Sequence, residues 1–210
     1  TTGTQNTAVG MNAADANTTS NNVTAVGYAA ASASNANQIT AIGSQALAQS
    51  SEAGTAVGYA ALFANTTGTN NVAVGDSAMI SNTTGAENTS VGALSSDALT
   101  TGNGIVALGY KALSSDTKGN RAVALGHESL ANQNFTTSTN NYNVAVGFQA
   151  MNVNTTGLYD TAVGGQALQA NTTGSNNVAV GLNALLVNTT ASFNTAVGTF
   201  SLDANTTGSA

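Results

Sequence analysis

Hydrophobic and polar positions along this chain recur at a fixed spacing. A short string, A-[VIL]-G or S-V-G, appears twelve times. Its glycines are Gly10, Gly27, Gly43, Gly58, Gly75, Gly92, Gly109, Gly126, Gly147, Gly164, Gly181 and Gly198. Successive gaps are 17, 16, 15, 17, 17, 17, 17, 21, 17, 17 and 17 residues. Self-similarity at such a period marks a stacked repeat architecture. The fullest unit reads N-N-V-A-V-G-x-x-A-L-x-x-N-T-T-G-x, as from Asn176 to Gly181 and on through Ala184, Leu185, Asn188, Thr189 and Thr190.

Numbering each unit from its glycine gives the local structure. Position −1 is Val, Ile or Leu and position −3 is Thr or Val in all twelve units. Position −2 is Ala in eleven units and Ser90 in the other. Successive strand residues point to opposite faces, so −1 and −3 share one face and −2 takes the other. The β-branched residues suit a strand, and the recurrent glycines disfavour a helix. Position +3 is Ala or Ser, and +4 is mostly Leu or Met (Leu47, Leu62, Met79, Leu113, Leu130, Met151, Leu168, Leu185, Leu202). This predicts a second short strand whose larger residue fills the interior. Glycine at position 0 allows a turn closed to other residues, or close approach of a neighbouring chain. The N-T-T-G loop supplies turn chemistry.

The expected fold is all-β: a parallel β-solenoid of twelve coils of about 17 residues, one repeat domain over 1–210. Coils stacked at about 4.8 Å make a rod roughly 55–60 Å long. Both ends read as ordinary loop, without a cap of different composition, although solenoids generally need caps. A segment of a longer fibrous protein is expected, or ends covered by neighbouring chains, with end-to-end stacking as one way to do so.

The −2 stripe is expected to point out of the roll. It comprises Ala8, Ala25, Ala41, Ala56, Ala73, Ser90, Ala107, Ala124, Ala145, Ala162, Ala179 and Ala196. A flat apolar band of that length is unusual in water, so the stripe is the expected interface of a homo-oligomer. The alternative is that alanine is tolerated on a solvated face.

Composition narrows the function. Charged residues are 6% and aromatics 5%, with three basic residues and a net charge of −6. No basic groove for nucleic acid and no polybasic membrane patch can be built from these. Cysteine is absent, which removes disulfides and thiolate metal sites. No apolar run is long enough to cross a bilayer, so this segment is expected not to insert into a membrane. Apolar residues are 41%, too many for a disordered chain.

Few residues invite chemistry. His127 and Glu128 follow Gly126, with Arg121 nearby and Lys111 one coil earlier. They read either as a small polar binding spot or as solvated turn residues. A lone histidine without triad partners is not a catalytic constellation, and no enzyme, cofactor or metal is expected. The +1 position holds Tyr28, Tyr59, Tyr110, His127, Phe148 and Leu182 among others. Its aromatics read as adhesive anchors or as cover for the edge of a thin roll. The 21-residue unit carries extra residues between Ala131 and Asn143, with Phe135 and Tyr142, where a loop can bind or be a harmless insertion. Paired threonines such as Thr66-Thr67 and Thr172-Thr173 suggest an ice-binding face, but that needs two outward ranks and adjacent strand residues give one.

Asn70-Asn71-Val72-Ala73-Val74-Gly75-Asp76-Ser77-Ala78 resembles the N-S-V-A-I-G-x-x-S/A repeat of YadA-like trimeric autotransporter adhesin heads. Asn143 to Ala150 is similar, one spacer shorter. The resemblance covers all twelve units. It implies a left-handed parallel β-roll, three chains side by side, and display outside the cell or on a bacterial surface. It further implies binding to host, matrix or cell-surface ligands, or to other copies. The N-T-T-G loop is longer and more uniform than the usual head loop, and no neck, stalk or anchor is present in this sequence. Related repeats occur in viral tail fibres. The expected function is thus a non-enzymatic structural or adhesive fibre segment. A self-assembling filament subunit or a tail-fibre segment is the alternative, and an ice-binding protein a more remote one.

Overall fold

The computed structural model describes residues 2–209. Each unit contributes one short strand: β1 Thr7–Val9, β2 Thr24–Val26, β3 Ile39–Ile42, β4 Gly54–Val57, β5 Asn71–Val74, β6 Thr89–Val91, β7 Val106–Leu108, β9 Val123–Leu125, β11 Val144–Val146, β12 Thr161–Val163, β13 Val178–Val180 and β14 Thr195–Val197. These twelve form a single parallel sheet in chain order, with about eleven turns of solenoid between first and last. Pairing is in register throughout: Ala145 lies beside Ala124 and Ala162, and Val146 beside Leu125 and Val163. Two further strands, β8 Gly119–Asn120 and β10 Thr139–Asn140, pair with each other at the 21-residue unit. No helix is present among the described residues.

The glycines stack on one another up the rod, and both reasons for glycine operate. Gly147 has φ +140, and a Cβ there would lie 2.4 Å from the Gly164 carbonyl oxygen of the next coil. The same contact repeats from Gly10 to Gly181, so coils approach through bare backbone.

The −2 stripe is not an outer surface. Ala25, Ala41, Ala56, Ala73, Ser90, Ala107, Ala124, Ala145, Ala162 and Ala179 are fully buried within the single chain, and Ala196 nearly so. Ala8 is exposed because it lies in the first coil, at the edge of the sheet. These alanines share one buried cluster with Leu47, Leu62, Met79, Leu113, Leu130, Met151, Leu168 and Leu185. The expected oligomer interface along Ala8, Ala25 and the rest is therefore corrected: their methyl groups are already covered by their own coil. Inside so thin a roll, the strand can present only small side chains to the row of Leu and Met opposite. The β-branched −1 and −3 residues face outward instead, with Val9, Leu108 and Val197 at least half exposed.

The second strand is absent as well. Residues after each glycine form a turn segment with positive φ at +2 and +4, as at Gln149 (φ 51) and Met151 (φ 50). The Gln149 N–H donates to His127 O of the preceding coil at 2.9 Å, and the Met151 N–H to Ala167 O of the following coil at 3.0 Å. Backbone groups are thus paired between coils without an extended strand. A left-handed residue costs about 1–2 kcal/mol, least where Cβ is unbranched. No Val, Ile or Thr occupies +2 or +4 in any unit.

The other half of the interior is lined by amides. Position +7, the Asn of N-T-T-G, is buried at Asn65, Asn82, Asn154, Asn171 and Asn188, and position −4 at Asn71, Asn88, Asn143, Asn177 and Asn194. Asn82 Nδ2 donates to Asn65 Oδ1 at 2.8 Å and Asn171 Nδ2 to Asn154 Oδ1 at 3.1 Å. In the −4 row, Asn88 N donates to Asn71 Oδ1 at 3.0 Å, while Asn71 Nδ2 donates to Gly85 O at 2.7 Å. A buried amide is tolerated when both its ends are bonded, and these side chains serve as rungs between coils, except that Asn82 Oδ1 is left without a donor where the next coil carries Leu99. Where +7 is Leu99, the −4 residue is Ile105, both fully buried. That coil exchanges amide for apolar filling on both sides at once.

Candidate functional site

The outward sheet face is the longest uniform surface. Its −1 rank runs from Val9 through Ile42, Leu108 and Val163 to Val197, and its −3 rank is Thr or Val throughout. Eleven strand spacings of about 4.8 Å and three residues of about 3.3 Å make it roughly 53 Å by 10 Å. No charged residue stands in either rank.

Of the charged residues singled out in the sequence, Lys111 and Glu128 line one open polar cavity with Ser114, Asn132 and Asn152, while Arg121 stands apart. His127 stands in the +1 column between Tyr110 and Phe148, with ring centroids 5.3 Å away on both sides. Its Nδ1 is 3.9 Å from Glu128, whose carboxylate accepts from Gln149 Nε2 at 2.8 Å. Lys111 Nζ lies 5.5 Å from the Tyr110 ring centre. Arg121 belongs to a different column, five residues before the glycine. There its guanidinium lies over the ring of Tyr142, which stacks on Tyr159 at 5.9 Å. The aromatics at +1 are exposed, and where they fall in successive coils they stack on each other along the rod. The second column, with Tyr142, Tyr159 and Phe193, escaped the sequence reading. Its signal is that −5 lies just outside the repeated string and holds no β-branched residue.

The 21-residue unit is packed down. Phe135 is buried while Tyr142 is half exposed, and β10 docks on β8. In the threonine pairs the first hydroxyl is spent within the rod: Thr66 Oγ1 donates to Thr83 O at 2.9 Å and Thr155 Oγ1 to Thr172 O at 2.8 Å. The second threonine of each pair, as Thr67 and Thr156, is exposed, and the first is half-buried at Thr83, Thr155, Thr172 and Thr189 but exposed at Thr66. The rank with a free hydroxyl is the second one, broken at Ala36, Glu52, Lys118 and Phe135.

Asp160 occupies the amide row at −4. Burial pushes its pKa up to about 7, against bonds from the Asn177 backbone and side chain at 2.8 and 3.1 Å that pull it down. Burial raises Asp116 and, less deeply placed, Asp97 above the usual carboxylate range as well. A raised folded-state pKa means protonated Asp160 favours the fold. Its contribution is complete below the unfolded value of 3.8 and lost as pH rises through about 7. Asp160→Asn restores the regular amide and is expected to stabilise the protein at pH 8 but hardly at pH 4. The difference should approach an upper bound on the order of 4 kcal/mol, read as the gap between the two proteins' denaturation midpoints across that range. Equal gaps at both pH values would refute the assignment.

No group of three or more His, Cys, Asp or Glu that could hold a metal occurs among the described residues, and no helix there is long and apolar enough to cross a membrane. No protein-family model, characterised protein or solved structure matches this chain.

Proposed function

We propose that the chain is a non-enzymatic, extracellular structural and adhesive rod whose copies lie side by side along the outward Val/Thr face. The observation that carries this reading is the continuous apolar −1 rank, twelve residues long and without a charge. Soluble monomers rarely leave such a band in water. A face of roughly 53 Å by 10 Å buries about 1,000 Å² per pair of chains, near the lower bound for a specific interface. Self-matching strips of valine have one natural partner, another copy of the same strip. The likeness to YadA-like heads favours three copies, a left-handed roll and a place on a bacterial surface. In that arrangement a stiff rod presents repeated weak contacts, and multivalency makes attachment firm.

The test is the native mass. Wild type should sediment as an oligomer. Replacing Val74, Val146 and Val180 together by Glu should give a monomer with the parent circular dichroism spectrum. A wild-type monomer, or a triple variant of unchanged mass, would overturn the proposal.

A further inference from the structure

The column five residues before each glycine is exposed at Asn70, Glu87, Arg121, Tyr142 and Tyr159, and Gly104 interrupts it. Glu87 stands one coil before the gap and Arg121 one coil after, so their backbones are about 9.6 Å apart at twice the strand spacing. The inserted loop of the 21-residue unit closes one side. Pairing of β10 with β8 brings Ser138 and Asn140 beside Asn103 and Asn120. The resulting cavity measures about 290 Å³, at the small end for ligand sites.

Its polar groups are fixed and partly unspent. Arg121 is held from behind, its guanidinium against the Tyr142 ring and its Nη1 donating to the Tyr142 hydroxyl. Nε and Nη2 remain free to donate. Asn120, nearly buried, donates to Ser138 Oγ at 3.1 Å, which leaves the serine hydroxyl hydrogen available. Neither Arg121 nor Glu87 has an ion-pair partner among the described residues.

We propose that this notch binds a carboxylated sugar unit, a hexuronate. A guanidinium with two free donors matches a carboxylate in bidentate geometry. Glu87 on the opposite wall accepts from ring hydroxyls, and Ser138 and Asn140 serve the remaining ones. A neutral sugar leaves Arg121 unmatched, and a bare carboxylate leaves Glu87 and the amides unmatched. The inference does not depend on association of the rods.

Glucuronate, glucose and acetate are titrated into the full chain by calorimetry and by ligand-observed NMR. Glucuronate should bind one site per chain with Kd on the order of 1 mM, and glucose and acetate at least tenfold more weakly. Gly104→Gln should abolish binding without lowering the melting temperature. Gln5 and Gln38 already hold this column's conformation (φ 61 and 59), and a Cβ at Gly104 meets only Arg121 Cγ at 3.7 Å. Glu87→Gln, on an exposed wall, should weaken binding at least tenfold. Glucuronate binding no tighter than either control, or wild-type affinity in Gly104→Gln or Glu87→Gln, would overturn the proposal.

Discussion

Ala145→Glu is expected to unfold the middle of the rod. Ala145 is fully buried, and its neighbours at −2 in the adjoining coils are Ala124 and Ala162. A carboxylate there has no cation to pair with and no space. An unpaired buried charge costs about 3 kcal/mol or more, and overpacking adds about 1–3 kcal/mol. In a stack where each coil contacts only its neighbours, one broken coil also separates the two halves. The expected result is loss of the cooperative melt, with the circular dichroism minimum reduced at room temperature. Val146→Glu, one residue on, changes the outward face and should keep the melt while weakening association. If Ala145→Glu stayed folded and merely lost its partners, the strand would face the other way from that described above.

Gly147→Ala is expected to be nearly as damaging for a different reason. At φ +140 an L side chain is strained, and the added Cβ would press within 2.4 Å of backbone in the next coil. Backbone cannot swing aside as a side-chain tip can. A loss of about 4 kcal/mol or more is expected, in the rare upper tail of single substitutions. Gly198→Ala separates the two causes. Gly198 has φ +124 but nothing within 4 Å of its Cβ position, so only the conformational cost of about 1–3 kcal/mol applies. Urea midpoints of the two variants give the steric part by difference. Equal losses would mean that contact between coils contributes nothing to the choice of glycine.

The candidate surfaces were only partly legible in the sequence. The +1 aromatics and the long unit were visible as departures from the repeat. The notch at Gly104 was not, because it needs Glu87, Gly104, Arg121 and the inserted loop brought together from four successive coils. Likewise His127 and Arg121 are six residues apart in the chain yet sit in separate columns on the rod. The Asn of N-T-T-G was read as turn chemistry and the −4 Asn was given no role, since Asn is common in turns and nothing in one unit reveals that its side chain points inward.

By itself the sequence determined the period, the position of all twelve main strands and the need for glycine at the tight approach between coils. These follow from local sterics and from repetition, which a single chain displays in full. The absence of β-branched residues at +2, +4 and −5 also recorded the left-handed turns, though the small residue at +3 followed by Leu or Met at +4 suggested a strand. Only the tertiary structure decided which strand face is inside. Alternation tells which side chains travel together, not the side toward which the chain closes. That choice is made by the narrow interior, which admits methyl groups opposite Leu and Met and turns the bulkier valines out to meet whatever lies alongside.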